Sequence, residues 1–492
     1  MAFRFIRILI LHHQNHLAML SYNFKYELKL LLRSRWIQLL SLILLVLFGF
    51  STYNGLKKVE VRQDSITKAT NEVKESDAMM LKLLDSVENG MEVSVPSWTI
   101  PSGPMAVGNY YPRVAAMEQQ PMAFIATGQA DLFTHYVKPT ASGDEAALNF
   151  TEMTSPVQLL FGSFDLAFVI IYLLPLLIVA FSYNVLSAEK ESGSFRLLAA
   201  QPIGLQNWVL QKLALRFFWL SLLVLVSLIV VFWGLALDPF DEPATFFVLI
   251  GLILAYMLFW FALSFLVNLW VGSSAKNAVA LLGLWVLFVL LVPSILNQLG
   301  NSLYPMPSRN LMINEMRNMK AEITERQDKI LDNFLRDHPE YAINDSTQTR
   351  SFWHSLMASQ KLLQERMVPI LDSYEEQLQN QQNWISKFKW LSPSILAQES
   401  LNSMAGTSKE NYENYRRQVV TFAGEWREHF IPMLYNNKDF NSKKYSQLPK
   451  FVYQPSQNVG LGSAMTIILT SALFLVVIGV LQFQISSKKN TI

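Results

Sequence analysis

Apolar residues along this chain fall into six blocks, at 36–53, 161–186, 213–237, 244–271, 278–299 and 460–486. A hydrocarbon core of ~30 Å is crossed by about 20 apolar helical residues. Each block is long enough, and nearly enough free of charge, to do that. The pattern predicts an all-α polytopic membrane protein with six transmembrane helices.

Two polar stretches, 54–160 and 300–459, are too long to be loops inside a compact domain and read as two folded domains outside the spans. The first opens on a polar helical stretch, about Val59–Val87, and then becomes irregular in the run VPSWTIPSGPMAVGNYYPRVAAMEQQP. Prolines and glycines punctuate it, and Trp98, Tyr110 and Tyr111 read as local packing residues. The second is mainly helical. Arg309–Arg336 carries Met312, Met316, Met319 and Ile323 at helical spacing, a second helix covers about Thr349–Lys389 with an interruption near Pro369, and a third covers Lys409–Tyr435.

Residues 1–35 form a cytoplasmic, interfacial segment. Lys25, Lys29 and Arg33 recur every four residues, with Phe24, Leu28, Leu31 and Leu32 on an apolar flank, which is the pattern of a helix lying on the membrane surface. Arg4 and Arg7 precede only a short apolar run followed by His12 and His13, so no cleavable signal peptide is expected. Met1 and Met19 are both candidate starts, which N-terminal sequencing distinguishes.

Charge sets the orientation. With both termini inside, the cytoplasmic pieces (1–35, 187–212, the short turn before the fifth block and the tail 487–492, with Arg216 at the inner end of the third block) carry 13 Lys and Arg against 3 Asp and Glu, while the outside turn DPFDE has no basic residue. The opposite orientation would export nearly all the short basic loops. The whole-chain totals of 40 basic and 38 acidic residues conceal this asymmetry and speak against nucleic acid as a partner. The chain has no cysteine, which excludes disulfides, Fe–S clusters and thiolate metal sites.

Recognisable chemistry is sparse. No glycine is followed by lysine, so no P-loop exists, and neither H-E-x-x-H nor G-x-S-x-G occurs. Two S-x-x-K matches, Ser65–Lys68 and Ser273–Lys276, are too short to be specific. His12, His13 and His16 lack a carboxylate or thiol beside them, and no metal site is expected. No catalytic or cofactor-binding residue is predicted in the chain. Within the blocks, charge is limited to Asp165 and Arg216 near their ends, which gives little support to a proton-coupled path.

The connection 187–212 is the most informative segment. A helix leaves the membrane into Glu189-Lys190-Glu191, Gly193 follows, and Phe195, Arg196, Leu197 and Leu198 form a short amphipathic stretch that Pro202 ends. An acidic start and an apolar surface suit docking into a groove on a soluble partner. The alternative is an ordinary interfacial loop.

The run SAEKESGSFRLLAAQPI, with Trp208 and Lys212 beyond it, resembles the coupling-helix region of ABC-2-type transporter permeases. The matching positions are Glu189, Glu191, Gly193, Leu197, Leu198, Pro202 and Lys212. The stretch SSAKNAVALLGLWVLFVLLVPSILNQLG, followed by YPMPSRNLMINEMRN, is similar to a subgroup of these permeases with large extracytoplasmic insertions after spans one and five. The resemblance implies a bacterial inner-membrane subunit whose large domains face the periplasm. Its partners would be two separate ATPase chains that bind ATP and Mg2+, a second permease protomer (identical or paralogous) meeting it through spans one and five, the lipid bilayer, and a periplasmic or outer-membrane partner. Gly283 with Ala278 and Ala280 would give span five a small-residue surface. Two functions follow: ATP-driven export or extraction of a substrate, or force transmission to envelope proteins without translocation. A polar cavity between the spans favours the first, and a dry, packed interface the second. A membrane enzyme is the least supported class.

Overall fold

The computed structural model describes residues 25–96, 99–128, 134–143, 164–199, 204–234, 243–305, 309–337, 352–456 and 461–488. Residues 1–24, with the three histidines, Met19 and Phe24, lie outside the described residues, as do Trp98, Pro202 and the acidic turn 238–242.

Six helices among the described residues are long and apolar enough to cross a membrane: Arg35–Glu88, Leu166–Glu191, Leu205–Gly234, Ala244–Trp270, Ser274–Leu303 and Gly462–Ile485. We call them spans 1 to 6. The apolar windows of spans 2 and 4 are each 67% buried within the chain, against 17% for span 5 and 22% for span 6. Spans 2 and 4 are therefore the centre of the bundle. Span 5 presents most of its apolar surface outward, and Gly283 has open space around it.

Span 1 differs from the expectation of a membrane helix and a separate polar helix. It runs unbroken for 54 residues, about 80 Å at 1.5 Å per residue. No proline lies within it, and Gly49 and Gly55 are small penalties in so long a helix. Its polar half projects beyond the bundle as a stalk.

The two polar segments do not make two bodies. Tyr415, Val419, Phe422, Trp426, Phe430 and Leu434, on one face of helix Lys409–Tyr435, are buried in the same cluster as Met80 and Leu84 of the stalk and Met105, Val107 and Ala115 of the first segment. Trp426 Nε1 donates to Gly108 O (3.0 Å), and the Tyr415 hydroxyl to Ala115 O (2.9 Å). A stalk and a Pro/Gly-rich stretch have too little apolar surface to enclose a core alone, so the later helices complete it. The irregular stretch itself contains helix Pro104–Tyr110 and strand Ala115–Ala116, which pairs antiparallel with Tyr136–Val137. Tyr111 is buried and Tyr110 exposed. In the second segment, Arg309–Glu325 and Gln327–Asp337 are separate helices meeting at Arg326, whereas Phe352–Phe388 continues through Pro369.

A further helix, Pro393–Met404, has no counterpart in the sequence reading. It leaves the distal body and inserts between the spans, where Leu396, Ala397, Leu401 and Met404 join the core of the bundle. Its anchor is a defect in span 5. The π-turn Val286–Leu291 pairs Val292 N–H with Leu287 O, and the next donor in that register, Pro293, has no N–H. Phe288 O accepts instead from Ser392 Oγ (2.6 Å) and Ser394 Oγ (2.9 Å). Span 2 has a related break: its π-turn Val169–Leu173 pairs Leu174 N–H with Val169 O, Pro175 follows without an N–H, and the nearby carbonyls Ile171 O and Tyr172 O accept from the Tyr256 hydroxyl (3.0 Å) and Trp285 Nε1 (3.1 Å).

The segment 122–128 covers the same end of the bundle. Asp165 is 4% exposed; it caps span 2 through Phe168 N (2.9 Å) and accepts from Thr127 N (2.9 Å) and Thr127 Oγ1 (3.0 Å). Gly55 lets Phe124 approach span 1, since a Cβ at 55 would lie 2.1 Å from Phe124 O. Gly55→Ala should therefore overpack this contact at a cost of about 1–3 kcal/mol. Gly49→Ala, where a Cβ meets nothing within 4 Å, is the matched control. A melting temperature for Gly55→Ala no lower than that of Gly49→Ala in purified protein would contradict the contact.

Candidate functional site

Span 2 does not run straight into the connection that follows it. Its regular helix ends at Ser182, turns through 183–186, and resumes at Ser187–Glu191. In an unbroken helix Leu186 N–H would donate to Ser182 O. Here the carboxamide of Asn268, from span 4, stands between them. Its Nδ2 donates to Ser182 O (2.8 Å), and its Oδ1 accepts from Leu186 N (3.3 Å). A side chain inserted into the backbone ladder is a recognised cause of a sharp helix bend.

Asn277 of span 5 completes the joint by donating to Tyr183 O (2.9 Å) and Ser187 Oγ (3.3 Å). Ser182 and Ser264 hydroxyls meet at 2.6 Å, and Ser187 and Ser274 at 2.8 Å. Ser182, Ser264, Asn268 and Asn277 are fully buried, and Ser187 is 1% exposed. Spans 2, 4 and 5 are thus tied together by polar groups in an otherwise apolar bundle.

Beyond the joint, the chain's own partners fix the two acidic residues. Glu191 accepts from Ser274 N (2.7 Å) and Ser274 Oγ (2.8 Å), so its carboxylate caps the first turn of span 5, where unpaired N–H groups and the helix dipole favour negative charge. Glu189 accepts from Lys212 Nζ (3.0 Å) and from the Ser194 hydroxyl. Lys212 Nζ also pairs with Glu27 at 2.8 Å and lies 4.0 Å from the centre of the Trp208 ring. The Lys212 side chain is 11% exposed, Glu27 15% and Glu189 30%. One ammonium therefore joins the connection after span 2, the start of span 3 and the N-terminal helix. Arg216, one turn further along span 3, is half-buried and donates to Phe181 O.

Gly193 has φ +79° with nothing near its absent Cβ, so the reversal there is a demand of the backbone and not of space. It turns the chain into helix Phe195–Ala199. Phe195 is half-buried against the bundle, with Lys190 Nζ 5.5 Å from its ring centre. Arg196 is exposed, and Leu197 is 74% exposed. The side chain of Leu198 and the whole of Pro202 lie outside the described residues.

The N-terminal helix covers 25–33 among the described residues and breaks at Ser34 before span 1 begins. Lys25, Lys29 and Arg33 are exposed, Leu28 is half-buried and Leu31 buried, but Leu32 is 49% exposed. The residue that docks this helix is Glu27. Sequence reasoning passed over Glu27, Ser274, Asn268 and Asn277; a lone asparagine within an apolar span, as at 268, was the available signal.

The polar side chains gathered here bond one another and the backbone. No group of three or more His, Asp or Glu among the described residues could hold a metal ion. What the arrangement does offer is a bent, tightly referenced lever: a short helix with an outward leucine, held from behind by three spans and one ion triad.

Residues 309–454 are similar to a family described as a domain of unknown function, DUF3526. That region contains the distal helices and the inserted helix Pro393–Met404 and none of the lever. No curated protein and no solved structure matches the chain.

Proposed function

We propose that this chain is the membrane-spanning permease subunit of an ABC-2-type transporter, coupling ATP hydrolysis on a separate ATPase to export or extraction of a substrate. The carrying observation is Leu197, 74% exposed on a helix whose flanking carboxylates are occupied by the chain's own Lys212 and Ser274. A large apolar side chain held outward by a rigid frame suits insertion into a groove on another protein. In this reading Glu189 and Glu191 set the pose of the coupling helix, while Arg196 and Leu197 touch the partner. Lys25, Lys29 and Arg33 rest on the inner membrane surface of a bacterial cell, and the distal body faces the periplasm. The chain is not itself an enzyme. ATP and Mg2+ belong to the two ATPase subunits, and a second permease protomer completes the unit.

Leu197→Asp tests the reading, because the side chain is exposed in the isolated subunit and its replacement should leave the fold intact. The native complex purified through this chain is expected to lose its P-loop ATPase, or its ATPase stimulation, by at least about ten-fold. Unchanged assembly and turnover would sink the docking role.

One observation favours force transmission as a second reading. The centre of the bundle is filled by Tyr256, Trp260 and Phe265, each fully buried, and the distal end is occupied by Pro393–Met404. Transport requires this helix to withdraw, whereas force transmission does not. The 54-residue helix of span 1 would carry movement from the membrane to the distal body without a joint.

A further inference from the structure

A slot of 720 Å³ separates the stalk of span 1 from the distal body, within the range of about 300–1,000 Å³ that small-molecule sites occupy. One wall is the stalk face carrying Ile66, Thr70, Val73 and Lys74, which share a side by their three- and four-residue spacing. Val114 and Ala116 of the strand segment, with Leu448, Phe451 and Tyr453, form the other. Gln63, Thr70 and Lys74 make the stalk wall mixed, while Val114, Ala116, Leu448, Phe451 and Tyr453 make the facing wall mainly apolar.

Stalk and body are pinned together around the slot. Arg113 Nη1 bonds Asp77 Oδ1 at 2.6 Å, and the Tyr445 hydroxyl donates to Asp77 Oδ2 at 2.9 Å. Nearer the spans, Gln119 Nε2 donates to Val59 O at 3.3 Å. These contacts hold the walls apart at a fixed width, so the slot is a built feature and not a loose seam.

Its charges are unequal. Asp77 and Arg113 neutralise each other, which leaves the exposed ammonium groups of Lys74 and Lys450, without ion-pair partners among the described residues, against one carboxylate, Glu118. The Tyr453 hydroxyl, pushed up to about 12 by burial, remains a donor through the physiological range. An extended peptide fits poorly. The strand in the wall is paired with Tyr136–Val137 on one side, and Ala115 O is taken by Tyr415, so little main chain is left for pairing.

We propose that the slot binds an elongated anionic amphiphile: an apolar chain of the fatty-acyl kind lying between the stalk and Phe451–Tyr453, with its carboxylate or phosphate held by Lys74 and Lys450. The proposal stands on the slot alone and holds whether or not an ATPase drives the chain. Because one wall is the continuation of span 1, a bound chain would contact the same helix that crosses the membrane.

The test is photolabelling of the full-length protein in phosphatidylcholine nanodiscs, with the labelled residues mapped by mass spectrometry. Three probes carry a diazirine on the acyl chain: palmitate, phosphatidylglycerol and the neutral hexadecanol. Labelling of Val73, Phe451 or Tyr453 by an anionic probe is expected. Palmitate alone identifies a free acid, phosphatidylglycerol alone a lipid headgroup, and both together the shared chemistry. The double variant Lys74→Glu/Lys450→Glu, altered only at exposed side chains, should cut labelling by about ten-fold. Should that variant fail to fold, Val73→Trp fills the slot without changing charge and should give the same loss. Absence of slot labelling by both anionic probes, equal labelling by hexadecanol, or labelling undiminished in folded variants would overturn the assignment.

Discussion

Asn268→Leu is expected to lower the melting temperature of the purified protein and to raise amide exchange sharply at residues 183–188. The asparagine satisfies Ser182 O and Leu186 N in a fully buried position. Leucine, of similar size, fills the space and satisfies neither. Two buried backbone groups left without partners cost about 2–6 kcal/mol together, at 1–3 each. The span could recover that loss only by straightening so that Leu186 N reached Ser182 O. Asn277 opposes it, because it holds Tyr183 O at 2.9 Å and Ser187 Oγ at 3.3 Å from a different span. The double variant Asn268→Leu/Asn277→Leu removes that restraint. It should regain part of the lost stability while displacing Glu189 and Glu191 from Lys212 and Ser274. Exchange at 183–188 unchanged in the single variant would mean that the inserted carboxamide does not hold the bend.

That joint also marks the limit of what was legible in the sequence. Six blocks of apolar residues are a strong signal, because a bilayer demands long uncharged helices, and the described residues contain six such helices. Ser182, Ser187, Ser264, Asn268 and Asn277 looked few and scattered along the chain because they belong to three different spans. Only packing brings them to one point. The continuity of span 1 was hidden for a related reason: the change from apolar to polar at about residue 54 marks a change of surroundings and not of backbone. The inserted helix Pro393–Met404 is short and mixed in composition, so nothing in its own residues distinguishes it from a surface helix. Its anchor, Phe288 O, depends on a proline five residues further along a different element. At the candidate site the sequence pointed to Glu189, Glu191 and Lys212, but Glu27 and Ser274, which decide what those carboxylates do, lie more than eighty residues away in the chain from them.

Lys212→Met should have the other large effect, because one ammonium serves two carboxylates. Methionine keeps most of the aliphatic stem against Trp208 and removes the charge. Glu27 and Glu189 then face each other at 15% and 30% exposure with no shared cation. Each loses a charge-assisted hydrogen bond worth about 1.5–3 kcal/mol, and the cation–π contact with Trp208 is lost as well. Solvent screening reduces the Glu189 share, since that carboxylate is the more exposed. The N-terminal helix 25–33 should therefore detach from the connection after span 2. The chain has no cysteine, so spin labels placed through Tyr26→Cys and Arg196→Cys, both exposed, report the distance directly. A narrow distribution is expected in the parent protein and a broad one in Lys212→Met, while Lys212→Arg, which keeps the charge, should fall between them. The charge swap Glu27→Lys/Lys212→Glu separates a triad from a simple pair. It recreates the bond between positions 27 and 212 but sets a carboxylate beside Glu189, so it should restore the tether of the N-terminal helix and still repel the connection after span 2. A swap that restored the parent distribution in full would show that Glu189 takes no part, and that the lever is held by the Glu191–Ser274 contact.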